Sequence, residues 1–274
     1  MALGGTALLV GVLVPGGTSG ATAEVPPLAP LRSVEMSVNE APTSLASAIY
    51  WAKLTAPDGA PSDIFGISVA ASGDTAVVGA WSDDTLAGLN AGSAYVFVRF
   101  GTDWIEQAHL TAPHGASEDR FGAAVAVSGD TAVVGAYQHD TPAGLDAGSA
   151  YVFVRSGAVW TYQASLNASD GAAFDNFGGS VAVSDGTALV GAPLDDPGVG
   201  FDAGSAYVFG RSGTSWIEQA KLTAPDANSY DYFGDSVAVD EDTAVVVVVG
   251  QAIHELGIAP AFCAGERAAQ VVGS

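Results

Sequence analysis

Between residues 121 and 166 the chain alternates large and small apolar residues where an ordinary amphipathic segment would alternate apolar and polar ones. In "FGAAVAVSG", Phe121, Val125 and Val127 fall on one face of an extended strand, and Gly122, Ala124 and Ala126 on the other. In "SAYVFV", Tyr151 and Phe153 oppose Ala150, Val152 and Val154. A sheet with one wet face would show charged residues at every second position. Here both faces need cover, one bulky and one small, as stacked sheets require. Four such runs follow one another: "FGAAVAVSG", "DTAVVGA", "GSAYVFVRSG" and "VWTYQASL". Val, Tyr, Phe and Thr dominate them, and Ser-Gly-Asp, a Gly/Asp-rich loop and Ser-Gly punctuate them. No stripe of helical period is present. The pattern predicts four antiparallel strands and no helix.

The unit repeats. Phe-Gly recurs at 65, 121, 177 and 233, always 56 residues apart. "GSAYVF" at 92–97, 148–153 and 204–209, Trp104, Trp160 and Trp216, and the Gly-Ala pairs at 79, 135 and 191 keep the same step. Small four-stranded sheets with two apolar faces, stacked around an axis, make a β-propeller. The fold expected is all-β: a propeller of four-stranded antiparallel blades over residues 47–250, about three complete blades and a partial fourth. A linear β-solenoid is the alternative. "AIYWAKLTAP" (48–57) matches "WIEQAHLTAP" (104–113), so the chain starts with an outer strand that belongs to no complete unit. The fourth unit keeps "DYFGDSVAVDEDTAVV", but Val247 and Val248 then stand where Gly-Ala should be, and no "GSAYVF" follows. Residues 251–274 read as an aberrant C-terminal tail. A truncated or frame-shifted end, a divergent cap, closure with the tail replacing a strand, or an open piece of a larger ring would each produce it.

Charge narrows the partners. The 274 residues hold 30 Asp+Glu against 8 Lys+Arg, a net charge of −22. That excludes nucleic-acid binding, which needs clustered cations, and docking on anionic lipid. It favours solubility and could favour divalent cations. The single cysteine, Cys263, excludes an intramolecular disulfide and a cysteine-only zinc site. At the N-terminus, the apolar run 7–14 is too short to span a bilayer. "Ala21-Thr22-Ala23" after it suits signal-peptide cleavage, although the first cation is Arg32. Residues 1–23 are read as an export signal and 24–46, rich in proline, as a disordered lead-in. No other segment is a candidate membrane span.

"FGAAVAVSGDTAVVGA" followed by "GSAYVFVRSG" resembles the FG-GAP repeat of integrin α-chain propellers and of many bacterial surface proteins. Gly191-Ala192-Pro193 supplies the full "GAP", while the other copies read Gly-Ala-Trp81 and Gly-Ala-Tyr137. The resemblance covers about 48–246. It implies a β-propeller, a secreted or cell-surface setting, and recognition or adhesion rather than catalysis. Two departures stand out. Calcium-binding repeats of the family carry a longer acidic loop between the first two strands, whereas here it is only "SGD", "SGD", "SDG" and "DED", too short for a cage of six to eight oxygens. Such propellers also usually have about seven blades.

Candidate chemistry sits in the loops. After Gly-Ala come Asp83-Asp84, His139-Asp140 and Asp195-Asp196, followed by Asn90, Asp146 and Asp202. Paired carboxylates with an Asx residue in a Gly-rich loop could hold Ca²⁺, and turn-forming Asp on a solvated rim is the alternative. Asp63, Asp119, Asp175 and Asp231, each two residues before Phe, are expected to fix the turn into the innermost strand. Trp81 and Tyr137 are the candidate ligand rim for a protein or glycan. Catalysis finds little: the four histidines share no context, and His254-Glu255 lacks the second histidine of a zinc-protease helix, with Ile258 in its place. The expected protein is an exported, non-catalytic binding module with no required cofactor. An accessory propeller of a larger extracellular enzyme and a purely structural surface element are the alternatives.

Overall fold

The computed structural model describes residues 52–248, apart from 199 and 242, and the backbone of residues 268–273. The candidate export signal, the lead-in, residues 48–51 of the orphan strand, and Cys263 and His254-Glu255 of the tail lie outside the described residues. The runs predicted as strands within the repeat units are strands, whereas residues 52–57 of the orphan run form none. The first sheet holds β1 (Val69–Ser72), β2 (Thr75–Ala80), β3 (Ser93–Phe100) and β4 (Asp103–Leu110). The second holds β5 (Ala124–Ser128), β6 (Thr131–Ala136), β7 (Ser149–Ser156) and β8 (Val159–Leu166). The third holds β9 (Ser180–Ser184), β10 (Thr187–Ala192), β11 (Ser205–Ser212) and β12 (Ser215–Leu222). The fourth holds β13 (Ser236–Asp240), β14 (Thr243–Val248) and β15 (Ala268–Gly273). Each sheet is an antiparallel meander with neighbouring strands in chain order, and no helix occurs among the described residues.

The fourth sheet draws its third strand from the stretch read as a tail. Val247 faces Ala269 and Val248 faces Ala268 across β14 and β15. Gly191 faces Ala206 and Ala192 faces Ser205 in the same register across β10 and β11. "AAQVVG" therefore occupies the place of "SAYVFG".

The sheets pack large face on small face, in chain order, as propeller blades. Val77, Ala94 and Val96 of the first blade meet Phe121, Val125, Val127, Tyr151 and Phe153 of the second. Val133, Ala150 and Val152 of the second meet Phe177, Val181, Val183, Tyr207 and Phe209 of the third. Leu189, Ala206 and Val208 of the third meet Phe233 and Val246 of the fourth. Phe121, Phe177 and Phe233 are wholly buried. Each of the first two rings stands edge-on to the Tyr and Phe of its own third strand, Phe177 lying 5.4 Å from Tyr207 and 6.0 Å from Phe209. The first blade differs. Val69 is 49% exposed, whereas its counterparts Val125 and Val181 are 8% and 9% exposed, and Phe65 is only partly buried. Leu54, at the repeat position of Leu110, is buried against this blade, so the orphan segment occupies the site of a preceding blade's outer-strand end.

The Phe-Gly pair is a strut between blades. The Phe121 N–H donates to Ala91 O of the preceding blade (3.0 Å), and the Gly122 N–H donates to Gly135 O of its own (2.9 Å). The Gly122 carbonyl turns back into the first blade, where Ser68 Oγ donates to it at 2.7 Å. Gly122 holds this geometry at φ 91°, a region that side chains avoid. Farther out, Trp160 Nε1 donates to Gln107 Oε1 of the preceding blade (2.9 Å), and Trp216 Nε1 donates to Gln163 Oε1 (3.0 Å). Gln107→Ala is expected to leave the largely buried Trp160 indole unpaired and to lower unfolding free energy by about 1–3 kcal/mol. Urea denaturation checks this, and a Trp160→Phe background should remove most of the difference.

Candidate functional site

The loops between the second and third strands, and those leading into each Phe-Gly, gather at one end of the blades. The two sets are tied by backbone bonds such as Glu118 N–H to Leu89 O (2.8 Å) and Phe174 N–H to Leu145 O (2.8 Å). Trp81, directly after β2, stacks on Tyr137, directly after β6, with ring centroids 6.0 Å apart. The two predicted rim aromatics thus meet across the junction of the first two blades. The Arg120 guanidinium lies 4.6 Å from the Trp81 ring centroid and donates through Nη1 to the Tyr137 hydroxyl at 3.3 Å. Arg120 has φ 58°, as Ile64, Asn176 and Tyr232 at the same repeat position have 55°, 56° and 50°. The left-handed turn before every Phe thus points residue 120 toward the rim. Burial raises the Tyr137 hydroxyl above its ordinary pKa, with Arg120 pulling the other way. Trp81 Nε1, Arg120 Nε and Gln138 Oε1 are buried without hydrogen-bond partners. The third blade carries Pro193 and Asn176 at these positions, so the cluster belongs to one junction.

The acidic loops turn their carboxylates apart. Asp84 Oδ1 accepts the Asn90 N–H (2.9 Å), Asp140 Oδ1 the Asp146 N–H (2.9 Å) and Asp196 Oδ1 the Asp202 N–H (2.6 Å). Each bond closes its own loop, and Asn90, Asp146 and Asp202 sit at φ 49–51°. Burial and the facing carboxylate together raise the pKa of Asp146 and of Asp202. The first acid of each pair points into the blade instead. Asp83 accepts from Ser93 Oγ and from the Tyr95 hydroxyl, and Asp195 accepts from Ser205 Oγ. His139, in the same place, pairs with Ser149 Oγ at 2.9 Å. The calcium candidates Asp83, Asp84, Asn90, Asp140, Asp146, Asp195, Asp196 and Asp202 therefore do not converge on one point in any loop. Among the described residues no group of three or more His, Cys, Asp or Glu is placed to hold a metal ion. The donor set does not fit a calcium cage.

Behind these loops lies a cation clamp. Lys221 Nζ is 2.7 Å from both Asp170 Oδ2 and Asp195 Oδ2 and 5.2 Å from the Tyr207 ring centroid. In the first blade His109 stacks on Tyr95 at 4.4 Å and faces Asp58 at 3.6 Å and Asp83 at 3.5 Å. In the second blade the cation position is Ser165, and both acid positions are histidines, His114 and His139.

The four aspartates before Phe do fix the turn. Asp63, Asp119, Asp175 and Asp231 accept the N–H groups of Ala60, Ala116, Ala172 and Asn228 at 2.5–2.7 Å. Burial pushes the Asp175 carboxyl up to about 6. Its folded pKa exceeds the unfolded value of about 3.9, so between these values the folded state holds the extra proton. This group's contribution therefore makes stability rise as pH falls from about 6 toward 4. Asp175→Asn, which keeps an acceptor for Ala172, is expected to flatten that part of the stability–pH curve while leaving pH 7 stability unchanged or higher. Thermal melts from pH 4 to 7 check it.

A family model described as FG-GAP repeat matches residues 51–97, 104–153, 160–209 and 216–252, well over half of the chain. The chain belongs to the FG-GAP repeat family. The last three matched segments begin 56 residues apart, at 104, 160 and 216, and the last reaches into the fourth blade. No curated protein matches the FG-GAP chain in sequence. Among solved structures it is similar to one titled "Crystal Structure of the N-terminal Domain of Nup159", at 12% identity and a TM-score of 0.39. That likeness covers 78% of this chain and 45% of the other, so the chain spans less than half of that structure's length, and the likeness is too distant to carry an argument.

The reading by sequence alone missed an apolar fringe on the FG-GAP rim. Leu86, Leu89, Leu145 and Phe201 are exposed at the loop tips, with Phe174 and Tyr230 exposed beside them. Leu89, Leu145 and Phe201 keep the 56-residue step, which is the signal that could have found them. No helix among the described residues is long and apolar enough to cross a membrane.

Proposed function

We propose that this FG-GAP chain is an exported, non-catalytic binding module that acts outside the cell or at its surface and recognises a protein or glycan through its loop rim. The observation that carries the proposal is the exposed row Leu89, Leu145, Phe174, Phe201 and Tyr230: the first two share the loops of Trp81 and Tyr137, and the others lie on the equivalent loops that follow the Trp81–Arg120–Tyr137 stack along the chain. Exposed apolar side chains that repeat in register on one edge of a strongly acidic protein mark a contact surface, and rigid aromatics beside arginine make effective anchors. The family resemblance to surface-protein propellers supports the setting. The test screens the full chain on a glycan array and against immobilised extracellular protein from its own source, beside Trp81→Ala and a Leu145→Ser/Phe201→Ser double variant. Binding by the parent chain that falls about tenfold or more in these variants supports the reading. Binding that all three share equally, or that none shows, refutes it.

Calcium has no role in this proposal, and the acids serve the loops. Adding millimolar Ca²⁺, or a chelator, is expected to move the melting temperature by no more than a few degrees. A rise of tens of degrees with Ca²⁺ would mean tight binding to the folded state alone.

A further inference from the structure

Three blade junctions share one contact. The glycine of each Gly-Ala pair lies against the carbonyl of the next blade's Phe-Gly glycine. A Cβ built on Gly79 would stand 1.9 Å from Gly122 O, on Gly135 2.0 Å from Gly178 O, and on Gly191 2.0 Å from Gly234 O. The neighbour is backbone, fixed by the Phe N–H bond and, at the first and third junctions, by Ser68 Oγ and Ser180 Oγ at 2.7 Å. No rotamer change can relieve such an overlap. The same position on the fourth blade is Val247. It keeps the register of Gly191, with β13 on one side through Ser236 and β15 on the other through Ala269, and its carbonyl accepts the Gly234 N–H at 3.1 Å, as Gly191 O accepts that of Gly178. The backbone is that of a docking blade, and only the side chain differs. A second glycine is replaced in the sequence as well. Gly92, Gly148 and Gly204 precede the third strands, and a Cβ there would fall 2.1–2.3 Å from the next blade's Phe carbonyl. β15 is preceded in sequence by Arg267.

We infer that Val247 makes the outward face of the fourth blade an end cap. It excludes a further FG-GAP blade of the same kind, whether the blade follows in the same chain or belongs to another copy. Repeat arrays need an atypical terminal unit to end a stack that each unit would otherwise continue, and one branched side chain at the docking glycine does this without disturbing the sheet.

The test lengthens the full chain by a second copy of residues 193–248 inserted after Val248, which the 56-residue step turns into one added blade. With Val247 kept in the first copy, the amides of the added Phe-Gly pair are expected to exchange freely. With Val247→Gly in that copy they are expected to gain about a hundredfold or more in protection. Equal exchange in the two chains, fast or slow, overturns the inference. In the unlengthened protein, Gly191→Val is expected to strip about tenfold or more of protection from the Phe233 amide while the Phe121 amide keeps its own. A Phe233 amide protected as before would also overturn it.

Discussion

Phe177→Ala is expected to lower the unfolding free energy by about 3–5 kcal/mol, measured by guanidinium denaturation. The ring is wholly buried between the small face of the second blade and Tyr207 and Phe209 of the third. The site cannot collapse onto the space left, because the Phe177 backbone is bonded to Ala147 O (3.0 Å) and the following Gly178 N–H to Gly191 O (2.9 Å). A cavity held open loses packing as well as transfer free energy. Phe65→Ala is the internal comparison. It removes the same ring at the same repeat position from a blade whose inner strand is more exposed, and it is expected to cost clearly less. Equal losses would mean that burial between blades is not what the phenylalanine supplies.

Gly122→Ala is expected to be at least as damaging, for a different reason. The residue has φ 91° and an added Cβ would stand 2.1 Å from Ser93 O of the preceding blade. Strain at such a φ costs about 1–3 kcal/mol by itself, and the clash with fixed backbone adds to it. The expected loss is at least about 3 kcal/mol, or failure to fold. Gly129→Ala separates the two causes: its φ is 55°, but nothing lies within 4 Å of the added carbon. That variant is expected to lose only about 1–2 kcal/mol, and thermal unfolding of the pair gives the contact's share.

Much of the fold was legible because the repeat writes it several times over. Two apolar faces of unequal size, as in Phe121/Val125/Val127 against Ala124/Ala126, can be satisfied only by another sheet, and the packed clusters join those faces. The turn-fixing role of Asp175 and its counterparts was legible too, since an aspartate at one offset from every Phe-Gly serves the backbone that all units share. β15 was not legible. "AAQVVG" keeps only the small and branched residues of "SAYVFG", and its place depends on register with β14 rather than on the 56-residue step. The rim was half legible. Trp81 and Tyr137 stood out as substitutions at one repeat position, but Arg120 joins them from the next loop through a left-handed turn that no periodicity marks. The acidic pairs left two readings open for a related reason: adjacent carboxylates look like one site in sequence, while a tight loop sends Asp84 to its own backbone and Asp83 into the blade.

The account turns on bulky and small faces of successive sheets lying against each other. Nuclear Overhauser contacts in protein with labelled valine methyls and aromatic rings test that directly. Cross-peaks from Phe177, Tyr207 and Phe209 to the methyls of Val133 and Val152, which belong to the preceding sheet, are the expected result. Aromatic rings that show contacts only within their own sheet would contradict it.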